Sequence, residues 1–131
     1  MITFDNEVRI FHITTENTSY VMRLKSNYVL EHLYYGKRLD NISGIGFRAI
    51  ENAIGFSARN YETAEMFDSL STDHVMQEYA FFGSADIRKP SFHARYADGS
   101  RITKMKYIGH AIYDGKKKLD GLPATYDGEN G

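Results

Sequence analysis

Alternation of apolar and polar positions dominates the first quarter of the chain. Val8 to Thr14 puts Val8, Ile10, His12 and Thr14 on one side of an extended segment and Arg9, Phe11 and Ile13 on the other. Ser19 to Leu24 repeats the pattern, with Tyr20, Met22 and Leu24 opposite Ser19, Val21 and Arg23. Tyr28 to Tyr35 reads as a further strand, and Ile2 to Phe4 as a short edge strand. The connections at Thr15–Thr18 and Ser26-Asn27 are made of turn-forming polar residues. Strands joined by such short turns predict a β-meander.

The pattern breaks from Gly36 to about Ser71. Gly36, Gly44, Gly46 and Gly55 fall here with several Asn residues, and the segment reads mainly as a long loop with short strands, with room for a helical turn at Ala49 to Ile54. A loop this long inside one domain is uncommon and is often functional. Apolar Ile45, Phe47, Ile50, Ile54 and Phe56 lack a strand period, so the loop is expected to be the most mobile internal segment. Strands are predicted again at His74–Phe82, Ser91–Tyr96 and Arg101–Tyr113. Asp98-Gly99 and Asp114-Gly115 mark tight turns. Residues 127–131 should fray. These elements predict an all-β fold, an antiparallel β-sandwich over residues 1–126.

Composition narrows the function classes. A length of 131 residues suggests one domain. Sixteen basic residues against 17 acidic ones steer the chain toward neither nucleic acid nor an anionic membrane. No run approaches the ~18 apolar residues of a membrane span. The N-terminus lacks the basic and apolar regions of a signal peptide, and no Cys is present; a cytoplasmic location is expected.

Candidate chemistry gathers in Gln77–Pro90, Q-E-Y-A-F-F-G-S-A-D-I-R-K-P. Glu78 and Asp86 are a carboxylate pair, the residue types that serve glycoside hydrolysis. Their structural roles are favoured: Asp86 capping its turn or pairing with Arg88, and Glu78 bonding amides or a cation. His12, His32, His74, His93 and His110 show no metal-ligand spacing, so no metal and no cofactor is expected. Lys116-Lys117-Lys118 reads as a solvated face. No phosphate loop or nucleophile elbow occurs. Tyr20, Tyr28, Tyr34, Tyr35, Tyr79, Phe81, Phe82, Tyr96 and Tyr107 could stack on sugars, but at strand spacing such residues more often form core and cross-strand pairs.

Five motifs lie in one register: Ser19-Tyr20-Val21, Leu33-Tyr34-Tyr35-Gly36-Lys37, Gln77-Glu78-Tyr79 with Asp86, Arg88 and Pro90, Asp98-Gly99-Ser100-Arg101, and Gly115-Lys116 followed by Gly121-Leu122-Pro123-Ala124-Thr125-Tyr126. Together they resemble the N-terminal domain of bacterial α-galactosidases of glycoside hydrolase family 36. Ala80 and Ile87 replace that family's usual Pro and Phe. The resemblance implies part of a β-supersandwich of the galactose-mutarotase-like kind, ahead of a (β/α)-barrel that carries two catalytic Asp residues. That barrel would be the missing partner of this segment. The parent would cleave terminal α-galactosides, such as those of melibiose and raffinose, with retention, and no catalytic residue would lie in this chain. In tetrameric family members the loop before the Q-E-Y strand reaches a neighbouring subunit's active-site pocket. The resemblance places Phe56 on that pocket wall, with Asn52 and Arg59 as nearby polar substitutes, while Ala53, Ala58 and Glu65 depart from the family pattern. The resemblance thus implies a homo-oligomeric parent. A free-standing carbohydrate-binding or protein-interaction sandwich is the alternative.

Overall fold

In a computed structural model the described residues are 1–26, 28–43, 75–83 and 89–124. They hold four strands, β1 (Ile2–Asp5), β2 (Ile10–Thr14), β3 (Thr18–Leu24) and β4 (Leu30–Lys37). The strands form one antiparallel sheet in sequence order. The expected meander is therefore present, and no helix occurs among the described residues.

Turn chemistry sets where the strands begin. The carboxylate of Asp5 accepts the amides of Glu7 (2.9 Å) and Val8 (3.2 Å), and Arg9 takes a φ of 58°. That turn delays β2 to Ile10, although the alternation starts at Val8. At the next turn the Thr15 hydroxyl accepts the Thr18 amide at 3.0 Å. Between β3 and β4, Lys25 N–H donates to Val29 C=O (2.9 Å) and Tyr28 N–H to Lys25 C=O (3.0 Å). Tyr28 then stands at a φ of 63°, where Gly is the usual choice. The Arg9 guanidinium lies 5.8 Å from the centre of the Tyr28 ring, so two left-handed residues stack on each other.

The register separates two faces. One carries His12, Ser19, Val21, Arg23, Glu31 and Tyr34; the other carries Phe4, Phe11, Tyr20, Met22, His32 and Tyr35. A bulge interrupts the β3–β4 ladder: Val21 pairs with Tyr34 but Met22 pairs with His32, leaving Leu33 as the extra residue. Without it, His32 and Tyr34 would share a face; with it, they face opposite ways. Both faces contribute to the core, Val21 from the first and Phe11 and Leu24 from the second. On the second face His110 sits edge-on to Phe4 (4.5 Å) and Phe11 (4.7 Å).

The second half departs from expectation. Strands were expected at 74–82, 91–96 and 101–113, yet no strand follows Lys37 among the described residues. Residues 76–78 pair briefly with β4: His32 N–H donates to Met76 C=O (2.7 Å) and Glu78 N–H to Leu30 C=O (3.0 Å). Phe81 and Phe92 form an isolated parallel bridge. Thr103 donates to Phe82 and Tyr107 to Tyr28, each at 2.9 Å. Alternation prescribes a pleated chain, but a strand also needs a continuous partner ladder. The Asp98-Gly99 turn does form: Tyr96 donates to Ser100 (2.9 Å), Gly99 donates to Tyr96 (3.0 Å), and Gly99 has a φ of 86°. The loop expected from Gly36 begins later, because β4 runs through Lys37. Its expected mobility concerns residues that lie mostly outside the described ones.

Candidate functional site

Among the described residues a polar cluster joins β3, β4 and the Q-E-Y segment. Tyr20 of β3 donates its hydroxyl to Glu78 Oε2. Nδ1 of His32 in β4 lies 2.9 Å from Glu78 Oε1. The Leu33 bulge matters here, since it turns His32 onto the face that Tyr20 occupies. The Tyr20 ring lies 5.1 Å from the His32 ring and 5.9 Å from that of Tyr35, which is exposed. Burial, reinforced by the hydrogen bond to Glu78 and by its charge, pushes the Tyr20 hydroxyl up to about 12. Tyr20 therefore keeps its proton and acts as a donor at neutral pH.

Chemically the cluster is a cross-link. Both carboxylate oxygens of Glu78 are engaged, one by each strand. The carboxylate of β4, Glu31, is also committed. It is buried and accepts two hydrogen bonds from Arg23, from Nε at 3.0 Å and Nη2 at 2.7 Å. Arg23 stands directly opposite Glu31 in the ladder, where unlike charges favour the pairing. Glycoside hydrolysis needs two carboxylates that flank the scissile bond. Glu31 is tied to Arg23, and Glu78 to a tyrosine hydroxyl and an imidazole where backbone amides or a cation were expected.

Other motif residues also find physical reasons. The Tyr34 hydroxyl donates to Lys37 C=O at 2.8 Å, and its ring crosses Gly36 so closely that a Cβ there would come within 2.7 Å of the hydroxyl. That accounts for Gly two places after Tyr in L-Y-Y-G-K. Ser19 is fully buried, accepts the Leu39 amide at 2.9 Å and lies 2.9 Å from His12 Nε2. Val21 is fully buried as well. A shallow groove of about 140 Å³ is lined by Tyr28, Tyr79, Phe81, Met105 and Tyr107, among others.

Comparison with known proteins settles the family. The model of the glycosyl hydrolase family 36 N-terminal domain matches residues 28–131. The chain belongs to this family. The α-galactosidase AgaA of Geobacillus stearothermophilus is 34% identical over 126 residues, which is 95% of this chain and 17% of that protein. The crystal structure of α-galactosidase AgaB from the same organism superposes with a TM-score of 0.77 at 32% identity, covering 96% of this chain and 16% of the other. An AgaA variant solved in complex with raffinose gives a TM-score of 0.70 at 35% identity, covering 92% and 16%. The chain thus spans about one sixth of the length of these relatives, and the all-β antiparallel class agrees with the sandwich domain of the family.

Of the residues singled out in the family-36 sequence, Glu78 is placed, and it is joined to Tyr20 and His32. Asp86 and Arg88 lie outside the described residues, as do Asn52, Phe56 and Arg59. Among the described residues no group of three His, Asp or Glu side chains is arranged to hold a metal. No helix among them is long and apolar enough to cross a membrane. Sequence reasoning missed the partners of Glu78. The tyrosine of S-Y-V was a visible signal; the bulge that aims His32 was not.

Proposed function

We propose that this chain is the non-catalytic N-terminal part of a cytoplasmic α-galactosidase whose remainder hydrolyses terminal α-galactosides with retention. Its own work is assembly, together with shaping the active-site pocket of a neighbouring subunit. The observation that carries this reading is the asymmetry of coverage: nearly all of this chain aligns with about one sixth of each relative. The cross-link that Glu78 makes between Tyr20 and His32, and the pair of Glu31 with Arg23, support it as structural duties of these carboxylates. The raffinose bound in one relative favours an oligosaccharide with a terminal α-galactosyl group as the parent's substrate. Phe56 is proposed as a wall residue of the neighbour's pocket, with Asn52 and Arg59 beside it.

The test is release of nitrophenol from nitrophenyl α-galactoside. The purified 131-residue chain should show no turnover above buffer. Turnover that disappears in Glu78→Gln would overturn the non-catalytic reading.

A further inference from the structure

His12 and Ser19 sit side by side under the point where the chain leaves the sheet. Ser19 Oγ accepts the amide of Leu39, two residues past the end of β4. A backbone N–H can only donate, so the hydroxyl proton is free to point at His12 Nε2, 2.9 Å away. That arrangement requires a neutral imidazole with Nε2 as acceptor. We propose that His12 is a proton-operated latch on the chain's exit from β4, closed over Leu39 when neutral and opened by protonation.

Protonation would make Nε2 a donor. Ser19 would then face two donors, and its own proton would have to turn away from His12 within a fully buried place. The added charge is also poorly placed. Arg38 and the Met1 ammonium stand near, and both repel an imidazolium. On the same face, Asp5 lies on β1, and Arg23 is already neutralised by Glu31. Asp40 lies 3.6 Å from Arg38, and it is almost fully exposed. Burial, then Arg38, then the ammonium hold the His12 imidazole below its usual range. The sign follows: the neutral form's stabilisation is complete above the unfolded value of 6.5 and is lost as pH falls from there through the lower folded value. Arg38 shares the exit, donating its amide to Asn17 C=O (2.9 Å) and Nη1 to Thr15 C=O (3.3 Å). The latch stands independently of the proposed function.

Amide exchange at Leu39, followed by NMR and corrected for the intrinsic rate, tests the latch. Protection should be lost progressively as pH falls below 6.5, in step with the His12 ring signals. In His12→Gln the side-chain oxygen still accepts but does not titrate, so protection should persist without the pH dependence. Imidazole nitrogen shifts of the unaltered protein give a second reading that needs no variant: Nε2 should be the unprotonated nitrogen at about pH 7.5. Leu39 protection that stays flat through the His12 titration would overturn the proposal, as would Nε2 carrying the proton.

Discussion

Residues 2–37 and residues 75–124 carry the same kind of sequence, and their described residues end in different structures. Both alternate, both are rich in Tyr, Phe and Ile, and both contain clear turn signals. The first region pairs every strand with the next and buries Phe11, Val21 and Leu24. The second region makes one hydrogen bond here and another there, and it leaves Ile102 70% and Ile108 99% exposed. Local pattern decides the pleat and the face; only a neighbouring ladder decides whether a strand exists. In the second region the apolar alternation has no sheet to serve within the described residues.

The largest expected contrast comes from one truncation in each region. Val21→Ala removes methyl groups from a fully buried site and should cost about 2–3 kcal/mol. Ile108→Ala should leave the denaturation midpoint of the same chain unchanged, since almost all of that side chain already faces solvent. Equal losses would show that 101–113 packs as firmly as the sheet.

A smaller effect is expected where the two regions differ in backbone freedom. Gly83 has a φ of 97°, and a Cβ there would come within 2.8 Å of Ile102 Cγ2 and 3.1 Å of its Cα. Gly83→Ala should therefore destabilise by about 1–3 kcal/mol, through strain and through displacement of Ile102. Urea denaturation of the variant measures it. An unchanged midpoint would mean that the contact between residues 83 and 102 contributes nothing. Of the two glycines the smaller effect belongs to the sheet. Gly36→Ala meets only the end of the Tyr34 ring, which can swing away at the loss of one exposed hydrogen bond, about 0.5–1.5 kcal/mol.

Much of the first region was legible in the sequence. The faces assigned to Ile10, His12 and Thr14, and to Ser19, Val21 and Arg23, are the faces the register shows. The Asp98-Gly99 turn was readable because Asp98 accepts the Ser100 amide and Gly99 alone tolerates its φ. Three features were not readable. Arg9 and Tyr28 adopt positive φ without being Gly or Asn, so no residue type announced them. The Leu33 bulge depends on the pairing of β3 with β4, and that pairing is not a local property. The site around Glu78 joins residues 46 and 58 positions apart in sequence, a link that spacing does not encode.

Residue-resolved hydrogen exchange tests the contrast between the regions most directly. In the isolated chain the amides of β2 and β3 should exchange slowest, while those of residues 108–113 exchange near the unstructured rate. In a longer α-galactosidase containing this chain, residues 108–113 should slow markedly as the proposed remainder supplies their partner. Strong protection of 108–113 in the isolated chain, equal to that of β3, would contradict the account.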